Sequence, residues 1–150
     1  MKAPHFSLPN QDGMMTSLQN LLHRTLVLYF YPKDNTAGCT LEAQDFTQLI
    51  GEFDKCQTNI VGISPDSVKS HKNFIAKHDL GIMLLSDGDK SVSAQYGAFG
   101  EKKLYGKTYQ GIIRSTFVIA QNGDILHSWK NVKAKNHAKE VLEWIQHHRP

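Results

Sequence analysis

The strongest constraint on what this chain can fold into is the run Leu26-Val27-Leu28-Tyr29-Phe30-Tyr31, apolar or aromatic at every position and stopped by Pro32. A run without polar alternation predicts a strand buried on both faces, because a half-buried strand turns every second side chain to water. Its sheet must then be covered on both sides. Beyond Pro32 a polar loop leads to Gly38-Cys39, and the apolar period changes: Phe46, Leu49, Ile50 and Phe53 fall at i, i+3, i+4 and i+7, the stripe of an amphipathic helix. Cys39 is therefore expected where a loop enters a helix.

The same alternation continues along the chain. Asn59 to Ser64 is a second short apolar strand, and Pro65-Asp66-Ser67 supplies a turn and helix-starting residues ahead of Val68 to His78. Gly81 to Ser86 predicts a third strand, with a short helix around Ser91 to Tyr96 after it. Ser115 to Ala120 and Asp124 to Trp129 flank Gln121-Asn122-Gly123, and Asn-Gly between apolar runs is a hairpin signal. Ala138, Val141, Leu142 and Ile145 mark a closing helix. Parallel βαβ units, then an antiparallel hairpin, then a helix give an α/β protein, a thioredoxin-like three-layer sandwich with a mixed central sheet. With no repeat or Pro/Ser-rich linker, residues 1–150 are expected to form a single domain.

With 40% hydrophobic and 21% charged residues the chain has the makings of a packed core, which excludes a disordered polar polymer. No apolar run approaches the roughly 20 residues of a membrane-spanning helix, and Met1 to Gly13 lacks the apolar stretch of a secretory signal. A cytoplasmic protein that does not enter a membrane is expected. The net charge of +3 is spread along the chain, with no basic block longer than Lys102-Lys103, so no nucleic-acid-binding face is expected. Eight histidines include no HxxxH pair and no Cys/His cluster at zinc spacing, so no metal site is expected. His147-His148-Arg149 is expected to be a solvated tail, and Trp129 and Trp144 are expected to pack.

Two cysteines, Cys39 and Cys56, are too few for a disulfide scaffold and leave reactivity or plain packing as their roles. A lone cysteine is often only a small buried hydrophobe. Position argues otherwise for Cys39, because the unpaired N–H groups and positive dipole end of a helix N-terminus favour a thiolate. Gly38 lets backbone N–H groups approach the sulfur. Thr36 offers a hydroxyl to donate to the thiolate or to an incoming oxygen, and Pro32 fixes the origin of the loop.

The segment Tyr29-Phe30-Tyr31-Pro32-Lys33 through Thr36, Gly38, Cys39, Thr40 and Glu42-Ala43 resembles the active-site segment of the peroxiredoxins, in the bacterioferritin comigratory protein or peroxiredoxin Q branch. The pattern Pro, three residues, Thr, two residues, Cys falls on Pro32, Thr36 and Cys39. Similar segments cover nearly the whole chain, from Ala3-Pro4-His5-Phe6 and Gln11-Asp12-Gly13 through Gly62-Ile63-Ser64, Leu84-Leu85-Ser86-Asp87 and Tyr96-Gly97 to Gly106-Lys107-Thr108-Tyr109-Gln110-Gly111. Arg114, in Ile113-Arg114-Ser115-Thr116-Phe117, matches the family's active-site arginine. The resemblance implies a thiol-dependent peroxidase that reduces hydrogen peroxide and organic hydroperoxides through a Cys39 sulfenic acid, with no metal, haem or flavin. Arg114, opening a strand beside the central one, would stabilise the thiolate and the charge on the departing oxygen. Glu42, expected in the first turn of the helix, would either orient Arg114 or simply favour the helix end.

The sequence also departs from the family pattern. Gln44 stands where many members of the branch carry a resolving cysteine, and Val68 to His78, where others carry it, contains none. Ala37 replaces the usual Pro, and the chain begins a few residues short of the usual first strand. Cys56 is expected to be a packed small residue at a helix-to-strand junction. A one-cysteine enzyme resolved by an external thiol (thioredoxin, glutaredoxin or glutathione) is therefore expected, as a monomer or weak dimer. The alternative is a thioredoxin-fold chaperone-like or binding module with weak peroxidase activity. A disulfide oxidoreductase would need C-x-x-C, and positions 36 and 42 are Thr and Glu.

Overall fold

The computed structural model describes residues 1–148. Its centre is β3 (Thr25–Phe30), in which every residue is buried. Leu26, Leu28 and Phe30 point into one core, while Val27, Tyr29 and the following Tyr31 point into a second, as the alternation of side chains along a strand requires. β3 pairs in parallel with β4 (Thr58–Ser64), which pairs in parallel with β5 (Met83–Ser86). On its other side β3 runs antiparallel to β8 (Ser115–Ile119), and β8 antiparallel to β9 (Ile125–Lys130). The mixed sheet has the order β5-β4-β3-β8-β9.

One core lies between the sheet and α2 (Ala37–Gln48), α3 (Ile50–Lys55), α4 (Val68–His78) and α6 (His137–His148), with Phe46, Phe53, Phe74 and Val141 fully buried. The opposite core is closed by α1 (Leu18–Leu21), α5 (Ser91–Gln95) and the N-terminal segment, through Leu18, Val92 and Phe6. These are the three layers. Two small hairpins, β1 (Ser7–Pro9) with β2 (Met15–Ser17) and β6 (Phe99–Leu104) with β7 (Lys107–Ile112), flank the sheet. Isolated bridges join Lys2 to Asp124 beside β9 and Asn10 to Leu85 on β5. Among the described residues no helix is long and apolar enough to cross a membrane.

Local chemistry explains the element ends. Ser67 caps α4 by accepting from Ser70 N at 3.1 Å, and Asp79 ends it in the left-handed region at φ 51°. The β8–β9 loop Gln121-Asn122-Gly123 is closed by Ala120 N donating to Asp124 O, with Gly123 at φ 92° taking the left-handed position of a three-residue hairpin.

Two expectations are corrected. The helix begun at Cys39 is not continuous: Leu49 (φ −97°, ψ 3°) leaves helical geometry and separates α2 from α3, so Leu49 and Ile50 are only partly buried while Phe46 and Phe53 are fully so. His147 and His148 are solvent-exposed as expected, but they form the last turn of α6 rather than a tail. Their Nδ1 atoms lie 2.8 and 2.7 Å from the carbonyls of Glu143 and Trp144, and the His148 ring stacks on Trp144. Arg149 lies outside the described residues. Trp129 and Trp144 pack, partly buried, against the helical core.

Candidate active site

The site forms at the C-terminal end of β3. Tyr31 N extends the parallel ladder by donating to Ile63 O at 3.0 Å, and the half-buried Pro32 then turns the chain out of the sheet. Thr36 is the residue preceding α2, and its carbonyl accepts from Thr40 N at 2.9 Å. Ala37 therefore occupies the first helical position, where proline is well tolerated, and Cys39 is the third residue of the helix, in the turn whose N–H groups have no intrahelical partners. Cys39 is 2% exposed and packs in the helical core.

Arg114 directly precedes β8, and the pairing of Ser115 with Phe30 places it beside the same strand end. Its Nη2 donates to Cys39 Sγ at 3.2 Å, and its Nη1 donates to Glu42 Oε1. Gly38 lies beside the guanidinium: a Cβ built on it would be in van der Waals contact with Arg114 Nη2 at 3.4 Å. Glu42 is fully buried and sits in the second turn of α2, since the helix starts at Ala37. This corrects the expected first-turn placement: it does not serve the helix end but holds Arg114.

Burial pushes the Glu42 carboxyl up to about 7 against the opposing pull of Arg114. Burial lowers Arg114, but Glu42 and Cys39 outweigh it, so the guanidinium is held more firmly protonated than usual. Glu42 Oε2 and the hydroxyl of Tyr29 are buried without a hydrogen-bond partner among the described residues. The Thr36 hydroxyl differs from its expected use. It is exposed and donates to Lys33 O at 2.9 Å, which ties the loop to itself rather than reaching the sulfur.

Cys56 ends α3, half-buried, and both cysteines are free thiols. Sequence reasoning missed a polar network behind the loop. Asp34, Asp66 and His71 bring three ligand-type atoms within 4.8 Å of one another. Those of Asp34 and Asp66 already accept hydrogen bonds, from Ser70 Oγ and from Asp34 N and Ser64 Oγ respectively. The available signal was His71 on the buried stripe of α4 with Phe74, three residues on.

A buried thiol hydrogen-bonded by a guanidinium, which is itself held by a buried carboxylate, suits a sulfur that must carry negative charge and give an electron pair to an electrophile. On a thioredoxin-like fold, at the start of a helix, this arrangement fits a cysteine-based peroxidase. Residues 1–128 match the AhpC/TSA family. A relative from Helicobacter pylori strain J99 is 54% identical over 141 residues, 94% of this chain and 93% of the relative. Peroxiredoxin Bcp of Escherichia coli K12 is 40% identical over 146 residues, 97% of this chain and 94% of the relative. The solved structure of the Xanthomonas campestris bacterioferritin comigratory protein, studied for its alkyl peroxide reduction activity, superposes with a TM-score of 0.91 at 42% identity, covering 97% of this chain and 92% of that one. The chain belongs to the AhpC/TSA family, in its bacterioferritin comigratory protein or peroxiredoxin Q branch. It is a thiol-dependent peroxidase, taking a hydroperoxide as substrate and a thiol as reductant.

Proposed function

We propose that Cys39 is the peroxidatic nucleophile and that the enzyme works as a one-cysteine peroxidase on hydrogen peroxide and organic hydroperoxides. The observation that carries this reading is the contact of Arg114 Nη2 with Cys39 Sγ at 3.2 Å. The Cys39 thiolate attacks the terminal peroxide oxygen, a sulfur–oxygen bond forms, and the oxygen–oxygen bond breaks. The hydroperoxide is reduced to water or alcohol, the departing oxygen taking up a proton, and Cys39 is oxidised to sulfenic acid. An external thiol then attacks that sulfur, releasing water and leaving a mixed disulfide, which a second thiol reduces.

In this reading Arg114 stabilises the thiolate and then the charge on the departing oxygen, and Glu42 fixes the guanidinium. Pro32, Thr36 and Gly38 shape the loop: Pro32 ends the strand, Thr36 braces Lys33 O, and Gly38 lets the backbone beside Cys39 pack closely against Arg114. Alkyl hydroperoxides are included because the Xanthomonas campestris relative was studied for their reduction. The reductant is a thioredoxin, a glutaredoxin or glutathione. The chain acts as one domain, monomeric or weakly dimeric, in the cytoplasm, where two free thiols suit a reducing environment. Peroxide consumption by the wild type and by Cys39→Ser, with each of the three reductants in turn, tests the reading. An unimpaired Cys39→Ser enzyme would overturn it.

A further inference from the structure

Behind the loop that joins β3 to α2 lies a fully buried histidine that the peroxide reaction, as described, does not use. His71 Nε2 lies 3.0 Å from the carbonyl oxygen of Leu85, and Nδ1 lies 2.8 Å from Asp34 Oδ2. A carbonyl can only accept, so Nε2 carries a hydrogen. The Asp34 carboxyl accepts from the Tyr31 hydroxyl at 2.6 Å on Oδ1 and from the Ser70 hydroxyl at 2.8 Å on Oδ2. Three contacts converging on the two oxygens favour the ionised carboxylate, which accepts without donating and places the hydrogen of the third contact on His71 Nδ1. Burial pushes the Asp34 carboxyl up, but the hydrogen bonds from His71, Tyr31 and Ser70 outweigh it and hold it below its usual range.

Asp34 sits two residues after Pro32 and two before Thr36. Its side chain is held by His71, Tyr31 and Ser70, and its backbone N–H donates to Asp66 Oδ2 at 2.8 Å. Its neighbour Asn35 takes the left-handed conformation, φ 65°, a backbone state that asparagine tolerates but that surrounding contacts must maintain. Thr36 closes the loop onto Lys33 O and begins α2. The position of Asp34 therefore sets where the first turn of α2 starts, and with it where Cys39 meets Arg114.

We propose that His71 is a positioning residue for the peroxidase reaction, held as an imidazolium between the Asp34 carboxylate and the Leu85 carbonyl so that it clamps the loop that presents Cys39. The proposal rests on the reading of Cys39 as the nucleophile. The clamp draws on separate elements: His71 and Ser70 from α4, Leu85 from β5, Tyr31 from the end of β3 and Asp66 from the β4–α4 turn. The titratable groups facing the imidazole are the Asp34 carboxylate at 2.8 Å, the Tyr31 hydroxyl at 3.4 Å, and the Asp66 carboxylate, which has an oxygen within 4.8 Å.

The test combines two readouts on the full chain. In nitrogen-15 NMR of histidine-labelled wild type at neutral pH, His71 is expected to show both ring N–H protons, slow to exchange; a single ring proton would overturn the imidazolium clamp. In stopped-flow measurements, His71→Gln is expected to slow oxidation of Cys39 by hydrogen peroxide roughly 10- to 100-fold, the scale of a misplacement of about 1 Å. Alkylation of Cys39 by iodoacetamide, compared at a pH where the thiolate is fully formed in both proteins, needs no peroxide geometry and is expected to change far less. Equal losses in both reactions, or no loss in the peroxide reaction, would overturn the positioning role. Ser70→Ala removes only one hydroxyl from Asp34 and serves if His71→Gln does not fold; the same selective slowing, to a smaller degree, is expected of it, and its absence counts against the clamp. Wild-type protein in which peroxide leaves Cys39 unoxidised sinks the nucleophile assignment and the positioning role together, whereas the NMR result reads the charge of His71 independently.

Discussion

Cys39 and Cys56 lie at opposite ends of the central strand. Cys39 meets Arg114, whose neighbour Ser115 pairs with Phe30 at the end of β3, whereas Cys56 is two residues ahead of Thr58, which pairs with Thr25 at its start. The strand steps between those two pairs span roughly 17 Å at about 3.3 Å each. A disulfide needs Cα atoms within about 7 Å.

The first prediction follows from that separation. Stoichiometric peroxide should produce no intramolecular Cys39–Cys56 linkage, and added glutathione should be found attached to Cys39. Non-reducing peptide mapping decides it, and a dominant Cys39–Cys56 peptide from monomeric protein would refute the one-cysteine reading.

Substitutions at the site should separate by role. Cys39→Ser should lose peroxidase activity, and Arg114→Ala should slow Cys39 oxidation about 100- to 1,000-fold, the scale of removing one preorganised donor. Thr36→Val should slow it less, because its hydroxyl braces the loop instead of touching the sulfur. Cys56→Ser should leave turnover nearly unchanged. Single-turnover kinetics under one set of conditions ranks all four, and an Arg114→Ala enzyme as fast as wild type would remove the guanidinium from the mechanism.

Glu42 should give folding stability a distinctive pH dependence. Its carboxyl is raised in the folded protein to about 7, so the folded state binds the proton more tightly than the unfolded chain does. That contribution is fully present below the unfolded value of about 4.3 and is lost as pH rises through about 7. Its ceiling is on the order of 3 kcal/mol. Urea titrations at pH 5 and pH 8 should show wild type losing more stability across the interval than Glu42→Gln; an equal loss in both would mean that Glu42 does not titrate there.

Tyr29 is the converse case of a buried polar atom serving no contact. Among the described residues its hydroxyl has no partner in the core, where its ring stacks on Phe46 at 4.8 Å. Tyr29→Phe removes the stranded hydroxyl and keeps the ring, so it should be neutral or stabilising by about 1 kcal/mol. Thermal unfolding measures this directly, and a loss of 2 kcal/mol or more, a large single-substitution effect, would show that the hydroxyl has a partner after all.

Much of this was legible in the sequence because it rests on strong local signals. The unbroken apolar run gave β3, the turn and helix-starting residues Pro65-Asp66-Ser67 gave α4 with its bounds of Val68–His78, and the Asn-Gly loop gave the β8–β9 hairpin. The β6–β7 hairpin was not seen as structure. Its strands are largely exposed and lack an apolar face, and its turn places Tyr105 and Gly106 at φ 51° and 77°, a conformation that a tyrosine does not advertise. The break at Leu49 was hidden because the apolar spacing runs through it unchanged.

At the site, Cys39 and Arg114 were legible by position and pattern, and the structure brings them together. The depth of Glu42 was not, since glutamate is normally exposed and only the approach of Arg114 from 72 residues away makes its burial tolerable. The same holds for Asp34 and His71, which are 37 residues apart and meet only when β3 and α4 have packed. Long-range polar pairs carry no periodicity of their own.

The N-terminal segment has a consequence for how copies of this protein behave toward one another. Its bridges from Lys2 to Asp124 and from Asn10 to Leu85 touch the two outer strands of the sheet, one on each flank. An outer strand with free N–H and C=O groups is a template for strand addition by another molecule. Ala3 N donates to Gly123 O and Ile125 N to Met1 O, so the open ladder beside β9 begins already occupied, with the charged pair Lys2 and Asp124 set at its mouth. At those two points the margins of the mixed sheet are closed to strand addition by the protein's own first ten residues.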